Sequence, residues 1–235
     1  MRIGILQPGY LPWLGFFEQL SKSDVFVIYD DVQYDKNGWR NRNKIKNVQG
    51  PQWLTVPVSV KFSEHPMVVD VKINNRINWR KDHLLSIKHA YSKAPFYQDY
   101  IPIFEKEYSK GWENLADLDM HFILKLSEVL GLRDKKIVRS STIDVTGDKI
   151  ERLVKICKMF DADTFYEGAA GKDYIDVKHF KDSGIKVEFQ EYKHPVYKQL
   201  HGEFIPYMSV IDLLFNHGKE SLAIITNSIS GEVLQ

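Results

Sequence analysis

Four stretches of the chain concentrate side chains able to bind or activate a small polar molecule. The longest runs Tyr34-Asp35-Lys36-Asn37-Gly38-Trp39-Arg40-Asn41-Arg42-Asn43-Lys44. Its arginines offer planar forks for phosphate or carboxylate, its lysines point charges, and Trp39 a face on which a base or sugar ring can stack. A solvated basic loop is the competing explanation. Upstream, Asp30 and Asp31 are adjacent carboxylates, the hard oxygen ligands that Mg²⁺ prefers and that also orient hydroxyls. Two acids ending a strand in solvent would look the same. A third stretch, His194-Pro195-Val196-Tyr197 with Gln199-Leu200-His201-Gly202, brings two imidazoles that titrate near neutrality and suit a general base. The fourth, Gly168-Ala169-Ala170-Gly171-Lys172, can set backbone N–H groups against an anion at a helix start. It lacks the spacing and the Ser/Thr of a P-loop. A turn into the next helix explains it equally well.

Other reactive side chains read as structural. Cys157 lies on an apolar helical face and reads as a small buried hydrophobe. As the only cysteine it excludes an internal disulfide and a cysteine-rich metal centre. His83, His89, His121 and His179 fall in helical segments without H-E-x-x-H spacing, so no zinc site is expected. Ser209 and Asp212 read as helix capping. No G-x-S-x-G or G-x-G-x-x-G occurs, which argues against hydrolase and dehydrogenase chemistry. With a formal net charge of +1, no global field attracts nucleic acid or an anionic membrane. There is no run of about 18 apolar residues and no signal-like leader, so the expectation is a soluble cytoplasmic protein without a membrane span.

The elements that must position these groups alternate strand and helix. Residues 3–6 form a short apolar run broken by Gln7-Pro8-Gly9, and Pro12 opens a helix through Leu20. The run Val25–Tyr29 reads as a strand buried on both faces, completing a βαβ start. Residues 31–60 read as a polar loop followed by a hairpin or edge strand, because Pro57 disfavours a central position. Helical stripes follow at Leu84, Ile87 and Tyr91, with Asn78 as cap, and from Leu115 through Leu130, stopped by Gly131. Ile137-Val138 begins a strand, and Asp148 with Glu151 reads as a capping pair for the helix through Phe160. Thr164–Tyr166 reads as a strand, residues 174–180 as a helix, Ile185–Phe189 as a strand, and Val210–His217 as a helix capped by Ser209. The expected fold is α/β: a mostly parallel, Rossmann-like sheet flanked by helices, in one domain over 1–235 with a helical insertion at about 75–132. Ligands of such sheets bind beyond the carboxyl ends of the strands. That places Gln7–Tyr10, Asp30–Tyr34, Gly168–Lys172 and Gln190 at one rim.

The stretch Gln7-Pro-Gly-Tyr-Leu-Pro-Trp-Leu-Gly-Phe-Phe17 resembles the N-terminal signature of WbqC-like proteins. So do Asp30-Asp-Val-Gln-Tyr34, Trp39-Arg-Asn-Arg-Asn-Lys44 and Gly50-Pro-Gln-Trp-Leu-Thr-Val-Pro57. Toward the C-terminus the resemblance continues through Gly168, Gly171, Tyr174-Ile-Asp176, His194-Pro-Val-Tyr197, His201-Gly202 and Ser209–Gly218. Glu167 departs from the pattern, standing where a small hydroxyl residue is expected. The resemblance implies a bacterial protein of surface-polysaccharide or O-antigen synthesis, transferring an acyl or aminoacyl group, such as glycyl, to a nucleotide-linked amino sugar. Under that implication His194 or His201 removes a proton and Asp30 or Asp31 orients the amino sugar. Arg40, Arg42 and Lys44 hold phosphate, and Gln7 or backbone N–H groups polarise the carbonyl. Tyr10, Trp13, Gln33, Tyr34, Trp39, Asn41, Gly168, Gly171, Lys172 and Tyr197 complete the expected substrate contacts. No cofactor is required, Mg²⁺ being the one candidate. Two alternatives stand beside this: a nucleotidyltransferase or ATP-dependent ligase, and a nucleotide-sugar-binding protein without catalysis.

Overall fold

Strict alternation in two short strands divides the interior into two layers. In β1 (Arg2–Leu6) and β2 (Val25–Ile28), Ile3, Ile5, Val25 and Val27 face one apolar cluster, while Leu6, Phe26 and Ile28 face the other. The period of two along a strand makes this division, and the β-branched residues suit a strand covered on both sides. The computed structural model describes residues 1–36 and 38–227; Asn37 of the basic stretch lies outside them.

The remaining elements follow in order: α1 (Leu14–Ser21) between β1 and β2, then β3 (Arg42–Asn47), β4 (Gly50–Thr55), β5 (Val58–Ser59) and β6 (Lys72–Ile73). Next come α2 (Trp79–Tyr91), α3 (Tyr97–Tyr108), α4 (Leu115–Val129), β7 (Lys136–Arg139) and α5 (Lys149–Met159). The chain continues with β8 (Thr164–Glu167), α6 (Val177–Asp182), β9 (Lys186–Phe189), α7 (Val210–His217) and α8 (Ser221–Ile225). The central sheet runs β7-β2-β1-β8-β9 with every pairing parallel, which is the α/β architecture expected from the alternating pattern. Helix α1 packs with α2–α4 and α7 on one side, and α5 with α6 on the other. The chain leaves β1 toward β2 on one side and returns to β8 on the other. The crevice beyond β1 and β8 is therefore the topological switch point where such sheets bind ligands.

Several local readings are corrected. Residues 42–47 form a strand, β3, rather than loop, paired antiparallel with β4 so that Lys44 faces Trp53. Its hydrophobic signal is weak because Asn43 and Lys46 are buried beside Ile45, each satisfied by a hydrogen bond: Asn43 Nδ2 to the Leu11 carbonyl, Lys46 Nζ to Gln199 Oε1. Helix α3, within the span expected to be helical but without a stripe of its own in the sequence, has Pro102 inside it. Burial of Tyr100, Ile101, Phe104 and Tyr108 compensates for the missing backbone donor. Asn78 occupies the N-cap position of α2 without a side-chain cap bond. Helix α6 starts at Val177, later than expected, because residues 169–173 make a 3₁₀ turn and Asp176 supplies the cap. The expected caps Asp148 and Ser209 accept N–H bonds in the first turns of α5 and α7.

Candidate functional site

Beyond the end of β1 lies a cavity of about 330 Å³. One wall is the loop that leaves the strand, Gln7-Pro8-Gly9, with Pro12, Trp13 and Phe16 at the start of α1. The opposite wall is Trp39, Arg40 and Asn43, and Tyr207 closes it. Backbone and side-chain hydrogen bonds knit these distant segments together. Tyr10 N–H donates to the Trp39 carbonyl at 3.2 Å, Arg40 Nη1 to the Pro8 carbonyl at 3.0 Å, and Ser209 N–H to the Lys44 carbonyl at 2.8 Å. Ser209 Oγ and Asn43 Nδ2 both donate to the Leu11 carbonyl, at 2.7 Å each. Leu11 and Tyr207 hold positive φ, 45° and 60°, conformations that non-glycine residues take only where surrounding contacts enforce them.

The electrostatics of the cavity are cationic and aromatic. The Arg40 guanidinium also bonds Asp35 at 3.2 Å; burial pulls its pKa down, with Asp35 and Asp119 opposing. The N-cap of helix α1 is Trp13, which contributes no side-chain acceptor, and its first turn carries no acid. No side-chain charge offsets its N-terminal dipole, although Phe16 N–H already donates to the Trp13 carbonyl at 3.1 Å. Outside the cavity Trp39 leans on Trp53, with ring centroids 5.3 Å apart. The Arg42 guanidinium carbon lies 4.5 Å from the Trp53 centroid, and Lys44 Nζ lies 5.3 Å from Trp53 and 5.7 Å from Trp39. Both indoles are nearly half exposed. They form a cation-flanked stacking surface at the cavity wall.

The expected residues separate into three groups. Gln7, Trp13, Trp39 and Arg40 line the cavity, and Arg42 and Lys44 adjoin it through the tryptophan pair. His194 packs against its wall, stacked 6.4 Å from Trp13 and edge-to-face 5.2 Å from Tyr207. Its Nε2 accepts from Tyr207 N–H at 3.2 Å, so Nδ1 carries the proton and donates to the Pro195 carbonyl at 2.8 Å. Burial lowers its pKa, the Pro195 bond opposing.

Others expected at the rim are instead buried with protein partners. Tyr10 is fully buried and its hydroxyl bonds His83 Nδ1 at 2.8 Å and the Tyr108 hydroxyl. Asp30, also fully buried, accepts from Arg139 Nε at 2.5 Å, Ser140 Oγ at 3.2 Å, and the N–H and hydroxyl of Ser141 at 3.0 and 2.9 Å. Asn41 donates to the Val56 carbonyl, and the Tyr197 hydroxyl to Asp212 at 2.8 Å. Asp212 also takes Tyr91 and Gln199, so it serves a buried network rather than a cap. A parallel strand end brings backbone N–H and arginine together, and acids there are consumed structurally.

A third set lies elsewhere on the molecule. Asp31 pairs with Arg152 and takes a hydrogen bond from Ser140. Gln33 contacts His65, and Tyr34 is buried under Phe62. Lys172 reaches Glu191 at 3.8 Å. Gly168 faces Gln19, and Gly171 packs so closely on Glu167 that a Cβ would sit 2.2 Å from its Cγ. His201 donates Nε2–H to the Ala90 carbonyl at 2.8 Å and lines a different cavity, between β3–β4 and α2. The two histidines therefore do not share a site. Glu167, noted only as a departure from pattern, ends β8 as a buried carboxyl: burial raises its pKa to about 7, while the Tyr174 hydroxyl at 2.9 Å and the Gly168 N–H pull it down. Cys157 is buried, and its thiol is pushed up to about 12.

The sequence profile of the WbqC-like protein family matches residues 7–224. The chain belongs to the WbqC-like protein family. A relative described as uncharacterized protein Rv1507c, from Mycobacterium tuberculosis, is 35% identical over 225 residues, covering 94% of this chain and 95% of its own. No solved structure matches the chain significantly. Within this WbqC-like chain no helix among the described residues is long and apolar enough to cross a membrane. Nor do the described residues hold a group of three or more His, Cys, Asp or Glu placed to bind a metal ion.

Tyr207, which closes the cavity, Trp53 beside Trp39, and the buried acid Asp119 of α4 had no expected role. Asp119 had a signal. It falls at the four-residue spacing from Leu115 and three before Phe122, on the apolar stripe of α4, where an acid is out of place.

Proposed function

We propose that this WbqC-like protein binds a nucleotide-linked sugar in the cavity beyond β1 and acts in bacterial surface-polysaccharide synthesis as an acyl or aminoacyl transferase. The observation that carries the reading is the coincidence of Arg40 and an α1 N-terminus without an acidic cap with an aromatic wall that continues into Trp39–Trp53. Guanidinium and helix N-terminus suit phosphate, and the indoles, flanked by Arg42 and Lys44, suit a base or sugar ring. In acyl transfer the amine of the sugar forms the new N–C bond as the bond from the acyl carbon to its leaving group breaks. Gln7, which lines the cavity, donates to the developing oxyanion in this reading. His194 takes the amine proton once its Nε2 is released from the Tyr207 N–H.

A second reading, binding without catalysis, draws support from one observation. Both ring nitrogens of His194 have backbone partners, and no carboxylate among the described residues lines the cavity. One experiment separates the two. Nucleotide-sugar binding by calorimetry is expected in both, with Arg42→Ala weakening it about tenfold through loss of a charge-assisted contact. Transfer of label from an activated amino acid to the amino sugar is expected only in the first. Pyrophosphate released from ATP would instead favour a ligase. If Arg42→Ala binds as tightly as the native chain, the assignment of the Trp39–Trp53 surface to the ligand fails.

A further inference from the structure

The cavity beyond β1 has a cation, Arg40, on its wall and, among the described residues, no carboxylate. Asp35, which takes Arg40 Nε at 3.2 Å, is not part of that wall. Most of the lining is apolar: Leu6, Pro8, Pro12, Trp13 and Phe16. Trp13 and Phe16 stand three residues apart at the start of α1 and so share one face. The polar groups around the cavity are largely committed to the protein. Asn43 donates Nδ2 to the Leu11 carbonyl at 2.7 Å and accepts the Lys44 N–H on Oδ1 at 2.8 Å. The carbonyls of Leu6, Pro12 and Trp39 accept from Tyr29, Val210 and Tyr10 N–H, at 2.8, 2.9 and 3.2 Å. The Pro8 carbonyl takes Arg40 Nη1, and the Leu11 carbonyl takes Ser209 Oγ besides Asn43.

With the oxyanion at Gln7, the acyl carbon lies in the cavity and its chain rests on the remaining wall. A volume of about 330 Å³ is the room of roughly eleven waters at about 30 Å³ each. That suits an acyl chain and the ring bearing it, and leaves the base of the nucleotide to the adjoining Trp39–Trp53 surface. Two acyl groups of nearly equal size meet this wall very differently. Glycyl ends in an ammonium group, propanoyl in a methyl. The ammonium gives up its water against Leu6, Trp13 and Phe16, shares the cavity with the like charge of Arg40, and meets no carboxylate among the described residues. The methyl gains from the same apolar contacts.

We infer that the cavity selects an uncharged, non-polar acyl group over an aminoacyl group, so that the chain placed on the sugar amine is a short alkanoyl. This rests on the transferase reading and chooses between the two kinds of donor that it allows. The selection comes from the wall: a buried apolar surface rewards each added carbon, while a cation brought there without a counter-charge pays the loss of its hydration.

The test is calorimetry of the full chain with uridine diphosphate alone and with uridine diphosphate glucosamine carrying a propanoyl, glycyl or 3-methylbutanoyl group on its nitrogen. The native chain is expected to bind the propanoyl conjugate at least about tenfold more tightly than the glycyl one. The 3-methylbutanoyl conjugate is expected to bind tighter still, by about fourfold per added carbon. Gln7→Glu, which puts a carboxylate on the wall, is expected to bring the glycyl conjugate level with the propanoyl one. A smaller gap between those two in the native chain overturns the inference and leaves the transferase reading standing. So does a 3-methylbutanoyl conjugate bound more weakly than the propanoyl one, or a Gln7→Glu chain that keeps the full gap. If the diphosphate binds and no conjugate does, the cavity does not take the acyl group, and the inference fails alone. If no probe binds, the nucleotide-sugar reading itself falls and the inference with it. The native chain's preference is decisive even where the Gln7→Glu chain does not fold.

Discussion

At the scale of single residues, burial decides which polar groups are chemically available. Glu167 shows the consequence for stability. Its ordinary pKa of 4.5 is raised to about 7 in the folded chain, chiefly by burial at the end of β8. Between those values the folded state holds a proton that the unfolded chain has released. Stability from this group is therefore complete below the lower value and is withdrawn as pH rises through the upper one. Glu167→Gln keeps a polar partner for Tyr174 and removes the titration. Urea unfolding should show the native chain losing, relative to this variant, on the order of 2 kcal/mol between pH 5 and pH 8. A constant difference across that range would mean that the carboxyl ionises normally. Hydrogen-bond partners separate Asp30 from Asp119. Both are completely hidden acids, but one is saturated by an arginine and two serines while the other has no hydrogen-bond partner among the described residues.

At the scale of elements, caps and stripes were legible because they are local. Asp148 is the clearest case: its carboxylate accepts from Ile150 N–H at 3.1 Å and Glu151 N–H at 2.9 Å, at the start of a helix whose Leu153, Val154, Ile156 and Cys157 cover the sheet. Asp148→Ala should cost about 1 kcal/mol of stability with an unchanged denaturant slope. A loss under a few tenths would show that tertiary packing alone holds the helix start. Elements whose stability comes from elsewhere were not legible. Strand β3 buries Asn43 and Lys46 because their partners, the Leu11 carbonyl and Gln199, lie 32 and 153 residues away. Nothing within the strand announces those partners. Helix α3 likewise survives Pro102 because Phe104 and Tyr108 stack into the cluster around Phe122 and Trp79.

At the scale of the whole molecule, the sheet fixes where the cavity opens, and its layers must approach closely for that. Gly4 in the middle strand is one such point: a Cβ there would lie 2.8 Å from the Phe26 ring and 2.6 Å from Ser23 Oγ. Gly4→Ala should destabilise by roughly 1–3 kcal/mol, seen as a lower thermal midpoint, because two strands would have to shift. An unchanged midpoint would show that the Phe26 ring turns aside freely. Read alone, the amino-acid order settled the parallel α/β architecture, the caps of α5 and α7, the family resemblance, and the cationic, aromatic character of residues 39–44. Those properties depend on periodicity, on contacts within a turn or two, or on residue type. Which polar side chains face the cavity was decided only by the fold. Gln7, Trp13, Arg40 and Tyr207 meet across as many as 200 residues, while Tyr10, Asp30 and Tyr197 turn inward to protein partners. Whether a hydroxyl or carboxylate meets solvent, a ligand or another side chain depends on what the rest of the chain packs against it, and that is a property of three dimensions.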